Sequence, residues 1–246
     1  GNVFGIGPAL FSLPVFAIAH GVALATGDRA DGFSELETSA VLWTSLLASV
    51  LAVLFAIRLA RRHVRGGAAI AGAVIAALAG PMLYYAVRQP GYAHPFAALF
   101  VAWFVERWDA SFAAPRTWKT WAVLGGLWGC AALARPQLVL WGVILAPRAV
   151  DDFMQRAASI RVLAGRWVLP GACALLVFSP QLLAWQAIYG ACYVVPQGPG
   201  FMRWTSPSVV EVLFSSRNGL FPWAPLYLAF LLAACRRRWL VLAVAF

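Results

Sequence analysis

The stretch "WAVLGGLWGCAALARPQLVLWGVILA", residues 121–146, decides how the rest of the chain is arranged. It admits two readings: one long apolar helix, or two short arms that turn at Ala134-Arg135-Pro136-Gln137. The choice puts every later loop on one side of a membrane or the other. Basic residues decide it, because Lys and Arg accumulate on the cytoplasmic side. With two arms, the nineteen Lys and Arg divide fourteen inside to five outside. With one helix they divide nine to nine, and Arg135 is stranded in mid-membrane. Charge bias therefore predicts two arms. An arm of about fourteen residues rises only ~21 Å through a hydrocarbon core ~30 Å thick. The turn should then lie beneath the outer surface, where irregular backbone survives only against protein or a wet cavity. A cavity is expected around "ARPQ".

Composition is what brings a membrane into question. Of 246 residues, 62% are hydrophobic and 11% charged, against about a quarter charged in soluble domains. Mean hydropathy is +0.78. The expected fold is an all-α, polytopic integral membrane protein, a helical bundle with short or broken helices. Residues 1–246 read as a single transmembrane domain. Spans are predicted at 41–57 and 68–87, joined by the basic turn "RLARRHVRGG". Shorter apolar runs follow at 92–105, 121–134, 138–146, 167–189 and 223–234. Residues 8–25 contain Pro14 and His20 and fit either a span or a helix lying in the outer interface.

The net charge of +10 invites a nucleic-acid reading. No basic run carries the interleaved polar contacts this would need, and the positive-inside bias accounts for the charge. No nucleic-acid partner is expected. Cys130, Cys173 and Cys235 fall in apolar runs and Cys192 stands alone, without metal or disulfide spacing. Only Lys119 among the basic residues is lysine, a bias that points, with the alanine content, to a bacterial source. The chain starts at Gly1 without methionine and stops inside the apolar run "WLVLAVAF". It is expected to be an internal piece of a longer protein, truncated at both ends.

On the two-arm topology, residues 192–222 form one long extracytoplasmic loop. Within it Val209, Val210, Leu213 and Phe214 share a helical face opposite Glu211, the pattern of a short amphipathic helix on the outer leaflet. Gly219 is expected to cap that helix. "SSRNG" follows, and Arg217 can snorkel to headgroups, pair with Glu211, or grip a phosphate with its planar fork. Arg88, Arg135, Arg203 and Arg217 are four of the five cations on the outer side, where positive charge is scarce. Their gathering near broken backbone predicts an anion attached to something that lives in lipid. His94, in "PGYAHP", should sit in a polar pocket just below the same surface.

The segments "GPALFSLPVFAIAH", "LYYAVRQPGYAHPFAALFV", "LWGCAALARPQ", "SPQLLAWQAIYG" and "VVEVLFSSRNGLFPWAPL" occur in that order. Together they resemble bacterial polyprenyl-phosphate-dependent glycosyltransferases of the C-type (GT-C) fold, relatives of protein mannosyltransferases and the lipid A aminoarabinose transferase. The resemblance runs over nearly the whole chain. It implies a multi-pass enzyme of the bacterial cytoplasmic membrane, with its site facing the periplasm. Such an enzyme moves a sugar, with inversion, from a polyprenyl-phosphate donor to an acceptor. The general base it implies is an acidic residue upstream of Gly1, so the piece alone is expected to be inactive. Arg135 and Arg217 become donor-phosphate contacts, with Arg88 and Arg203 as further candidates, and Asn218, His94 and Gln137 become substrate contacts. Arg88 and Gln89 stand where the family would place an acidic neighbour of His94, which argues against metal binding there. No cofactor is expected, with a divalent metal left open. The acceptor and the sugar are unspecified. A transporter or flippase for a lipid-linked or anionic substrate is the competing function. It would also need a polar cavity, although no internal repeat of the kind common in transporters is present.

Overall fold

The computed structural model describes residues 4–113, 117–146, 160–195, 198, 206–217, 219–229 and 232. Among these, every regular element is helical. In chain order the helices are α1 (Gly7–Thr26), α2 (Glu35–His63), α3 (Gly67–Ala79), α4 (Met82–Val87), α5 (Ala93–Ala110) and α6 (Trp118–Ala134). A 3₁₀ segment, Pro136–Leu145, comes next, followed by α7 (Ile160–Tyr189), α8 (Val209–Phe214) and α9 (Leu220–Trp223). Three stretches, Gly7–Thr26, Glu35–His63 and Trp167–Tyr189, are long and apolar enough to cross a membrane.

Residues 121–146 are two arms. α6 ends at Ala134 because Pro136 forces its predecessor out of helical geometry, and Arg135 is extended, with φ −146° and ψ 114°. The chain then doubles back. The Trp128 indole N–H donates to the Val139 carbonyl at 2.9 Å, and Gly142 lies so close to the Trp128 ring that any side chain there would collide with it. In one straight helix, residues 128 and 139 would stand ~16 Å apart.

The run at 68–87, expected as one span, is broken. Gly80 is extended and Pro81 starts a new turn, so α3 and α4 are separate helices. Proline supplies no N–H to continue the ladder, and the Tyr227 hydroxyl approaches Gly80 where a Cβ would stand. The span expected at 41–57 is instead the core of a longer helix. α2 starts at a capping box, in which the Ser34 side chain accepts from the Glu37 N–H and Glu37 accepts from the Ser34 N–H. It continues past the apolar run into the basic residues Arg61, Arg62 and His63.

Cross-contacts set the helix directions. Gly91 N–H donates to Ser45 Oγ, Phe55 stacks on Trp103, and Arg62 bonds Glu106. Both residue numbers rise together, so α2 and α5 run parallel, with the broken α3–α4 pair as the return between them. Likewise Gly125 abuts Pro170 and Gly129 abuts Ala174 and Val177. α6 and α7 are therefore parallel as well, with the 3₁₀ segment as the return arm. Glycines permit this contact, the most extensive between helices in the bundle, because a Cβ at either position would meet the backbone of α7. Phe11 packs against the cluster that holds Ala48 and Ala52 while His20, near the other end of α1, reaches Glu37, so α1 and α2 form an antiparallel hairpin.

Two apolar clusters fill the bundle. Leu59, Val101, Phe104, Val105, Trp121, Leu124, Leu127 and Leu145 occupy one end. Ala48, Ala52, Phe96, Ala97, Leu99, Ala102 and Ala134 occupy the other. The first cluster is closed by ions: Glu106, with 0% of its side chain exposed, takes hydrogen bonds from Arg62 and Arg107 and faces Arg58, while Asp109 meets Arg62 and His63. The second end carries Arg135 and the site described next.

Near the C-terminus α8 forms where the amphipathic pattern places it, without burying any residue. Ser215, not Gly219, closes it, by donating its N–H to Glu211. Gly219 instead opens α9, with an ordinary φ of −70°. The Phe214 and Phe221 rings, 5.3 Å apart, fold α9 back on α8. The expected apolar span at 223–234 is interrupted at Ala224, whose φ of −139° ends α9.

Candidate functional site

A cavity of about 1110 Å³ opens at the Arg135 end of the bundle. Its walls come from the segment before α1 and the first half of α1, from Val41, from the approach to α5, from the "ARPQ" turn, and from the end of α7 with Tyr193 to Val195. The lining is mostly apolar, which makes its few polar groups conspicuous.

Arg135, His94 and Gln137 all line it. Arg135 is there because α6 ends one residue earlier, so its side chain projects from a helix C-terminus, where a cation is favoured. It has no ion pair among the described residues. His94 enters through the first turn of α5 and stacks on Tyr85, with ring centroids 3.7 Å apart and planes 3° from parallel. Its Nδ1 is buried without a hydrogen-bond partner among the described residues. Leaving a buried polar atom unpaired costs ~1–3 kcal/mol, which marks the neighbourhood of His94 as one where a bound group would be stabilising.

Ser12 makes the same point and was invisible as a site residue in the sequence. It is 4% exposed, it lines the cavity, and its hydroxyl is unpartnered among the described residues. A single serine in an apolar helix reads equally well as a packing residue, so no sequence signal separated the two. Gln181 was also missed. Only 1% exposed, it reaches from α7 to accept the Ile6 N–H at 2.9 Å, which pins the start of α1 at the cavity wall. Gly7 then sits so close to the Leu133 carbonyl that no larger residue fits. The signal for Gln181 was an amide inside an otherwise apolar span.

The other expected residues lie elsewhere. Arg88 is exposed at the end of α4 and Arg217 is exposed on the turn between α8 and α9; neither lines the cavity. Arg203 and Asn218 fall outside the described residues. Of the four arginines expected to converge, the described structure brings one to the cavity.

Depth follows from helix rise. Gly91 bonds Ser45, eight residues along α2 from Glu37, so the approach to α5 lies ~12 Å below the Glu37 end of that helix. The site is sunk within the apolar length of the bundle. No family model, curated protein or solved structure matches the chain.

Proposed function

We propose that the protein is a membrane-embedded glycosyltransferase of the GT-C kind. It would move a sugar from a polyprenyl-phosphate donor to an acceptor on the extracytoplasmic face of a bacterial cytoplasmic membrane. One observation carries the reading: an arginine that has no counter-ion among the described residues lines a deep, apolar-walled cavity together with Ser12 and His94, whose Oγ and Nδ1 are buried and unpartnered among those same residues. A phosphodiester at Arg135 would supply the missing counter-charge, while apolar walls suit a lipid carrier. In the transfer, the acceptor oxygen bonds to the anomeric carbon and the bond from that carbon to the phosphate oxygen breaks. The electron pair stays on the departing lipid phosphate, where Arg135 meets the charge as it develops. The acceptor's proton goes to an acidic general base of the kind the family resemblance implies.

The test is donor consumption. Membranes containing the full-length protein are given a polyprenyl-phosphate carrying a radiolabelled sugar, and free lipid phosphate is measured. Wild type should release it, and Arg135→Gln should slow release by about a hundredfold, the usual loss for one charge-stabilising donor. Movement of intact lipid-linked sugar across sealed vesicles, with none consumed, would replace the transferase reading with the flippase one.

A further inference from the structure

Outside the cavity lining, α1 and α2 hold a second polar constellation. Glu37 has 0% of its side chain exposed. Four donors converge on it: Gly32 N–H at 2.9 Å, Ser34 N–H at 3.1 Å, Ser34 Oγ at 2.8 Å and His20 Nδ1 at 2.6 Å. Only a carboxylate accepts all four. It therefore receives a proton-bearing His20 Nδ1 and leaves Nε2 to meet a partner outside the pair. His20 is 38% exposed, and no described residue bonds its Nε2. Its ring lies over Phe16, 15° from parallel, which fixes the second axis of its orientation.

Position gives this dyad its meaning. Ser12, Phe16 and His20 follow one another at four-residue spacing on one face of α1, and Glu37 and Val41 do the same on α2. Ser12, Phe16 and Val41 line the cavity, so His20 and Glu37 stand one helical turn beyond that lining, toward the loop that joins α1 to α2. From Ser12 to His20 is ~12 Å along the helix, a gap that a phosphate joined to one sugar ring covers only with a hydrogen bond at each end. A staple between two helices does not need an exposed ring edge.

Resting on the transferase reading, we propose that His20, aligned by Glu37, binds a hydroxyl of the donor's sugar just beyond the cavity lining while Arg135 holds the phosphate within it. Glu37 is a positioning residue, acting only through His20. The site selects a hydroxyl-bearing ring over a bare lipid phosphate.

The test uses the purified protein in nanodiscs and two probes, dodecyl phosphate and the phosphodiester of dodecanol with glucose or mannose. Wild type should bind the sugar-bearing probe about fivefold more tightly, the increment of one net hydrogen bond. His20→Phe keeps the stack on Phe16 and should bind both probes equally, with dodecyl phosphate affinity unchanged. His20→Gln, which can still accept, should recover part of the preference. Equal binding of both probes by wild type would overturn the inference, as would an equal loss of both in His20→Phe, which would make the dyad a hairpin staple. Dodecyl phosphate binding that ignores Arg135→Gln would instead overturn the transferase reading, and the sugar site with it.

Discussion

The indole N–H of Trp128 donates to the carbonyl of Val139, 2.9 Å away, and this contact holds the return arm against α6. Trp128→Phe keeps most of the ring and should cost about 1 kcal/mol, the net worth of one hydrogen bond. Gly142→Leu forces a side chain into that ring and should cost more, roughly 1–3 kcal/mol as overpacking. Melting temperatures in detergent rank the two.

The same hairpin makes a topological prediction. In a Cys192→Ser background, Gln137→Cys in right-side-out vesicles should react with a membrane-impermeant maleimide. Arg61→Cys should react only after permeabilisation. Labelling of both from one side would refute the two-arm membrane topology.

How far the sequence foretold the site depends on the residue. Arg135 was legible because a cation between an apolar run and a proline has few structural uses at that depth. His94 and Gln137 flank prolines in the same way. Arg88, equally charged and only one residue further from a proline, looked much alike in sequence yet faces outward, because side-chain direction is fixed by helix register and not by neighbours in the chain. The Gly80-Pro81 break stood in plain view but was masked by an unbroken apolar run. Pairing of His20 with Glu37 depends on the register of the α1–α2 hairpin, which no local pattern encodes.

At the opposite end, Glu106 is enclosed by Arg58, Arg62 and Arg107. Glu106→Gln removes the counter-charge of Arg58 and Arg107, leaves Arg62 only Asp109, and should cost roughly 1–3 kcal/mol. Arg62 and its neighbours keep partial access to water, so the loss should shrink in high salt if screening reaches them. Thermal unfolding at two ionic strengths checks both statements. Dodecyl phosphate binding in the folded variant should be unchanged, since the clamp is far from the cavity.

Among the arginines, Arg135→Gln should reduce donor consumption by about a hundredfold. Arg29, already paired with Asp31 on the surface, should tolerate Arg29→Gln with no measurable loss. Arg217→Ala, on an exposed turn, should fall between them. A loss at Arg217 equal to that at Arg135 would mean that the α8–α9 turn closes over the cavity during turnover.

Gly129 abuts Ala174 and Val177 without room for a methyl group. Gly129→Val should separate α6 from α7 and lower stability by roughly 1–3 kcal/mol. Since Gln181 on α7 also pins Ile6, the same change should loosen the cavity wall and weaken dodecyl phosphate binding. Unchanged affinity in a destabilised variant would uncouple that wall from helix packing.

The ten residues of the 3₁₀ arm rise only ~20 Å, well short of a hydrocarbon layer ~30 Å thick. Acyl chains alongside that arm must shorten, or headgroups must dip, to avoid exposing the mismatch. A bilayer around the bundle would then be thinnest on that flank, beside Val139 and Leu140 in the cavity wall. On the transferase reading, a long-tailed carrier would meet its lowest threshold there, and would enter sideways, head first.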